Sequence, residues 1–324
     1  MAHALAAISG SLSAGASEQS FRHEALLYDG EDQFLAGVLP FIQDALAAGD
    51  PIVVAVDEAK IELLSSELAG AADEVHFADM REVGLNPARL IPAWREFMDG
   101  RSASGRRVWG VGEPIWAGRR EAELVECQLH ESLLNLAFAD AGPLSFLCPY
   151  DTGALDAEVI AEAHRSHAAL VQGGTRRRSH SFCAHEAAAP LGERLPEPRG
   201  PVGECVFAAG DLAGVRRFVA RRAQAAGLAT SRCDDLVLAV NEVASNSVRH
   251  GGGRGDLRIW REGDTLMCEV RDSGRLDDPL AGRRRPKITA IGGHGLWITN
   301  HVCDLVQLRS FPEGSVVRIH MRTR

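Results

Sequence analysis

The sequence predicts two domains of different class: an α/β domain built on a parallel sheet, then an α+β two-layer sandwich. Three observations carry this. Apolar strand-like runs alternate with helical ones through residues 21–185, a proline-rich stretch then breaks all periodicity, and beyond it the chain reads as two helices and two hairpins. At 324 residues the chain is long enough for two domains that each bury a core.

The first domain opens on EALLYDG, Glu24 to Gly30, an apolar strand leading into the helical QFLAGVLPFIQDALAAG. PIVVAVD, Pro51 to Asp57, is a buried-strand pattern, and KIELLSSELAG is the helix after it. RVWGVGEPIW reads as a third strand, AELVECQLHESLLNLAFAD as a long helix and LSFLCPYD as a fourth strand. DAEVIAEAHRSHAALV closes the set as a helix. Strands that alternate with helices imply parallel pairing under a helical cover. His23 and Tyr28 fall in the opening strand, where burial in the core is the first expectation and a ligand pocket the second.

EAAAPLGERLPEPRGPVGE, Glu186 to Glu204, holds four prolines and reads as a linker. The expected organisation is therefore a tail over residues 1–20, a domain over 21–185, a linker over 186–204 and a second domain over 205–324. The tail, MAHALAAISGSLSAGASEQS, lacks a basic region before its apolar residues, so a disordered tail is expected rather than a signal peptide.

In the second domain LAGVRRFVARRAQAAGL is amphipathic, with Leu212, Val215, Phe218 and Val219 on one stripe. The next helix carries LVLAVNEVASNSVRHGGG, and Ser231 with Asp234 suggests a capping box at its start. LRIWREGDTLMCEVRD reads as a hairpin around Glu-Gly-Asp, and DLVQLRSFPEGSVVRIHMR as another around Pro-Glu-Gly. Between the hairpins a long connection, residues 275–291, holds Arg283, Arg284, Arg285 and Lys287. Loops of that length in a compact domain are functional or disordered.

Composition narrows the partners. The net charge of −9 divides into −14 over residues 1–202 and +5 over residues 203–324. A mildly basic second domain suits an anionic small ligand, while no dense basic face with interleaved aromatics supports nucleic acid. No apolar run approaches a membrane helix of about 20 residues. The seven cysteines contain no C-x-x-C pair, so neither a disulfide framework nor a zinc site is expected, and reduced thiols in a cytoplasm are.

Three features of the second domain carry chemistry. Glu242, Asn246 and His250 stand four apart on one helix and project from nearly one face: an acid, an amide and an imidazole. Alone, such a line is as consistent with a solvated stripe. Asp272 precedes Ser-Gly where a strand ends, which places a carboxylate beside a sharp turn. The third feature is IGGHGLW, glycines before a helix that leave backbone N–H groups open to an anion.

In this order the three features resemble the GHKL superfamily of ATPases, whose Bergerat fold is a two-layer α+β sandwich. The helix with Glu242 and Asn246 is similar to the N box, RDSGR to the G1 box and GGHGLW to the G2 box. Within the superfamily the domain is most similar to the RsbW-type anti-sigma-factor serine kinases. The resemblance implies ATP and Mg²⁺ as cofactors, with Asn246 as metal ligand and Glu242 as the group that orients or deprotonates the attacking hydroxyl. It implies that Asp272 reads the adenine amino group, Gly274 allows the base to approach, and Gly293 and Gly295 offer N–H groups to phosphate. Arg283 to Lys287, with Arg285 among them, would form the ATP lid. Arg275 stands where a fuller G1 box carries a second glycine. His250 and His294 fit structural roles at helix ends as well as they fit the site.

Residues 21–185, through FRHEALLYDG, GEPIW, SLLNLAFAD and LCPYD, resemble the MEDS sensory domain, whose fold is thought RecA-like. No G-x-x-x-x-G-K-[ST] is present, so a Walker-type nucleotide site is not expected there. Together the resemblances imply a signal-responsive anti-sigma regulator. It would phosphorylate Ser/Thr of an anti-anti-sigma, STAS-type partner, or sequester a sigma factor, with a small-molecule signal at the first domain and homodimerisation open. Two alternatives stand beside it. A sensor histidine kinase would need a phosphoacceptor among His130, His164 and His167, none of which has the usual H-box continuation. The other is a non-catalytic module that binds ATP and a partner.

Overall fold

The computed structural model describes residues 21–99, 105–183, 188–286 and 293–323. The N-terminal tail and Lys287 of the basic loop lie outside the described residues. The chain forms two compact units. One runs up to Gly84 and from Ala93 to Ala188, and the other takes Leu85–Pro92 and everything from Ala189 onward.

The first unit is a seven-stranded sheet. Its strands are β1 (Arg22–Tyr28), β2 (Ile52–Val56), β3 (His76–Asp79), β4 (Val108–Gly112), β5 (Leu144–Asp151), β6 (Ala169–Gln172) and β7 (Thr175–Arg178). Their order is β3-β2-β4-β5-β1-β6-β7. The first six run parallel, and only the β6–β7 pair is antiparallel. β2 is buried at every position and β5 at all but its last, as strands covered on both faces require. The helices are α1 (Gly30–Ala47), α2 (Glu58–Leu68), α3 (Met80–Val83), α4 (Leu90–Asp99), α5 (Glu121–Ala137) and α6 (Ala157–Ser166). One core joins Leu26, Phe34, Val38, Val54 and Val111, and a second joins Ala25, Cys127, Cys148, Tyr150 and Leu170.

Two sequence expectations change here. The run DAEVIAEAHRSHAALV does not stay helical: α6 stops at Ser166, and Ala169–Gln172 pairs with β1 through Glu24↔Ala169 and Leu26↔Val171. The short apolar run Ala-Leu-Val fits a buried strand as well as a helix, and tertiary pairing decides. The sheet is also not wholly parallel, because the turn at Gly173 and Gly174 returns the chain as β7.

The second unit is a five-stranded antiparallel sheet in the order β11-β12-β10-β9-β8, backed by helices. β8 is Gly203–Ala208, β9 Arg254–Glu262, β10 Thr265–Asp272, β11 Leu305–Phe311 and β12 Gly314–Arg322. The helices are α7 (Leu212–Ala225), α8 (Thr230–His250) and α9 (His294–Val302). Leu236, Val240 and Val243 of α8 and Val215 and Val219 of α7 bury against Leu257, Cys268, Val270 and Ile319 of the sheet. The expected Ser231–Asp234 capping box is absent. α8 starts two residues earlier, with Ala229 at the N-cap and no side-chain cap, which puts Ser231 inside the first turn. At the other end of the domain Arg89 donates to Asn300 O and Cys303 O at 2.8 Å each, serving carbonyls that the end of α9 leaves open.

The proline-rich stretch is partly bound to this sheet. Pro196 O accepts from Arg318, and Glu197 pairs with Arg258 at 2.8 Å and with Arg271 at 2.9 Å. The two arginines hold the Glu197 carboxyl down to about 2.

Candidate functional site

α8 presents the polar line away from its apolar stripe. Glu242 and Asn246 are half-buried, and His250 is exposed at the last helical position. A cavity of about 640 Å³ opens beside them, within the range of small-molecule sites. Asn246, Asp272, Gly274, Arg285, Gly293 and Gly295 all line it, and so does His250. Residues some 50 apart in sequence thus converge on one space. Glu242 is not on the described wall. Its carboxylate stands behind the α9 entry, where a Cβ on Gly295 would lie 3.0 Å from Glu242 Oε2 and 3.2 Å from Asn246 Nδ2. His294, the first residue of α9, is half-buried and does not line the cavity.

Asp272 is fixed by three donors. Ser247 Oγ reaches Oδ2 at 2.6 Å, while Ser315 Oγ and Gly274 N–H reach Oδ1 at 2.9 Å each. A carboxylate offers about four acceptor positions, so one on Oδ2 stays open. The helix end packs directly on this group. A Cβ at Gly274 would lie 2.7 Å from His250 O, and one at Gly251 would lie 2.4 Å from Asp272 Cγ. At these positions only glycine lets the β10 turn and the α8 terminus meet.

Ser247, Ser315 and Gly282 escaped the sequence reading. Ser247 had one available signal, its place directly after Asn246; Ser315 and Gly282 had none, since their partners are remote. Gly282 anchors the connecting loop to α9: its O accepts from Asn300 Nδ2 at 3.0 Å, and its φ of +73° lies in the left-handed region that favours glycine. A Cβ there would lie 2.8 Å from Asn300 Nδ2 and 2.9 Å from Leu296 Cβ. Gly282→Ala is therefore expected to destabilise the second unit by about 1–3 kcal/mol, read from urea unfolding. In the basic loop Arg284 pairs with Asp278 at 3.3 Å, and Arg283 is buried.

Two family models match the chain. Residues 22–168 match MEDS, the methanogen/methylotroph DcmR sensory domain, and residues 207–321 match the histidine kinase-like ATPase domain. The chain joins a MEDS domain to a histidine kinase-like ATPase domain. Among solved structures it is similar to the RsbU and RsbW domains of a Mycobacterium tuberculosis protein at 17% identity and a TM-score of 0.30, covering 38% of this chain and 32% of that one. It is also similar to the Acinetobacter baumannii histidine kinase AdeS at 10% identity and a TM-score of 0.24, covering 39% of this chain and 70% of that one. The chain thus spans about a third of the length of the first. No curated protein matches it. The ATPase domain implies ATP as ligand. Among the described residues no helix is long and apolar enough to cross a membrane.

Proposed function

We propose that the cavity beside α8 binds ATP with Mg²⁺, and that the ATPase domain transfers the γ-phosphoryl group to Ser/Thr of a STAS-type anti-anti-sigma partner or sequesters a sigma factor. The observation that supports this most is the convergence of Asn246, Asp272, Gly274 and Gly295 on one cavity with Asp272 held by three donors. In this reading the open position on Asp272 accepts from the adenine amino group. Gly274 keeps the adjacent wall free of side chain. The α9 entry offers N–H groups to phosphate, and Arg285 adds positive charge. The Asn246 side-chain oxygen suits a hard cation. Mg²⁺, when bound, neutralises charge along the phosphates. Glu242 would orient the attacking hydroxyl and take its proton.

A histidine kinase reading fits less well. His130 and His167 are 1% and 0% exposed, so neither imidazole is open to an incoming phosphoryl group, and His164 is half-buried in the last turn of α6. A non-catalytic binding module draws support from one feature, the position of Glu242 behind Gly295 rather than on the cavity wall.

Labelled ATP with Mg²⁺, incubated with and without a STAS-type protein, separates these outputs. Acid-stable label on a partner serine or threonine is expected. Acid-labile label on this chain would support the histidine kinase instead, and tight partner binding without label would leave the sequestering module. Asn246→Ala is expected to remove both nucleotide binding and transfer. Retention of both would refute the site.

A further inference from the structure

Four side chains of the first unit converge where none would be expected from their spacing. His23 lies on β1, Glu131 on α5, Cys148 on β5 and His167 just after α6. Their exposures are 3%, 1%, 3% and 0%. One ligating atom from each lies within 4.8 Å of the others.

The protons on the two imidazoles are fixed by their outer partners. His167 Nδ1 faces Ala163 O at 2.9 Å and Ser166 Oγ at 3.0 Å; the carbonyl only accepts, and the Ser166 hydroxyl has Glu162 O at 3.0 Å for its own hydrogen, so Nδ1 carries the hydrogen. His23 Nδ1 faces Asn135 Oδ1 at 3.2 Å, and Asn135 Nδ2 is turned away to donate to Ser166 O at 2.7 Å. That orientation again makes Nδ1 the donor. Both neutral rings must then aim the lone pair of Nε2 inward. His23 Nε2 is 3.1 Å and His167 Nε2 3.3 Å from the same atom, Glu131 Oε2. Cys148 Sγ lies 3.4 Å from His23 Nε2. Glu131 Oε1 has no hydrogen-bond partner among the described residues.

Two lone pairs pressed against a carboxylate oxygen repel unless positive charge lies between them. One proton relieves only one of the two contacts. Two protons would set two imidazolium rings 4.0 Å apart, centroid to centroid, in a buried site with one carboxylate. A divalent ion relieves both contacts at once. With ionised Glu131 and a Cys148 thiolate the site is then electrically neutral, which is what burial demands.

We propose that His23, Glu131, Cys148 and His167 hold one divalent transition-metal ion of the zinc class, through two imidazole Nε2 atoms, a carboxylate oxygen and a thiolate. Bond lengths of about 2.0–2.3 Å place tetrahedral ligands about 3.3–3.7 Å apart, close to the 3.1, 3.3 and 3.4 Å of the three contacts above. The donor set is one that borderline-soft zinc accepts. Asn135 and the Ala163 carbonyl supply the outer hydrogen bonds that metal-bound histidines need. On binding, the Cys148 S–H bond breaks, its proton leaves to solvent, and a sulfur–metal bond forms. The ion would tie β1, β5, α5 and the α6–β6 junction together, so that metal occupancy and the fold of this unit become linked. The seven cysteines, read by spacing alone, argued against such a site, because its ligands come from four separate elements.

The test uses the full chain, reduced, stripped with chelator and titrated with Co²⁺. The expected result is one tightly bound Co²⁺ per chain with four-coordinate visible absorption and a near-ultraviolet thiolate-to-cobalt band. Cys148→Ser should remove the thiolate band, and His167→Gln should weaken binding at least about tenfold. A folded wild-type chain that binds no Co²⁺ would overturn the proposal, independently of any variant. So would a thiolate band that persists unchanged in Cys148→Ser.

Discussion

Glu242→Gln is expected to lower phosphoryl transfer, or ATP hydrolysis, by about 100- to 10,000-fold while nucleotide affinity stays within about threefold. Glu242 precedes Asn246 by one helical turn and shares its face, so both side chains come up against Gly295 at the α9 entry. Glu242 does not line the described wall, and its carboxylate meets the backbone position of Gly295 instead. Removing its charge should therefore leave the adenine end and the Asn246 position untouched. Only a step that needs a proton acceptor should suffer. Single-turnover transfer and equilibrium binding, measured on the same variant, separate the two quantities. Equal activity of Glu242→Gln and wild type would favour the sequestering module.

Asp272 carries the second large effect. Its carboxylate is anchored by Ser247, Ser315 and the Gly274 N–H, and it keeps one acceptor position free. Loss of a charge-assisted bond from a buried amino group costs about 1.5–3 kcal/mol, or about 10- to 150-fold in affinity. Asp272→Asn is expected to weaken ATP by that factor. It also sets an amide N–H where only acceptors stood, so the preference for an amino-bearing base should fall. GTP presents an oxygen at the same place, and the wild-type carboxylate should repel it.

The sequence disclosed the elements with strong local patterns and little of what depends on remote partners. The buried runs of β2 and β5 and the apolar stripe of α8 were readable because every position obeys one period. β3 was not, since His76–Asp79 is four residues long with no buried position. β8 hid behind the prolines. β6 was masked by the helical text before it. At the site, Asn246, Asp272 and the glycines stood out through residue type and order, yet nothing local tied Ser315 to an aspartate 43 residues away. The buried quartet of the first unit shows the same limit. His23, Glu131, Cys148 and His167 each look like an ordinary core residue until strand register brings β1 beside β5 and β6.

The most direct test of the central claim is a calorimetric titration of the full chain with ATP and with GTP, each in the presence of Mg²⁺. One ATP per chain is expected, at least about tenfold tighter than GTP, with that preference largely lost in Asp272→Asn. Absence of ATP binding to the folded chain, or equal affinity for ATP and GTP in the wild type, would contradict it.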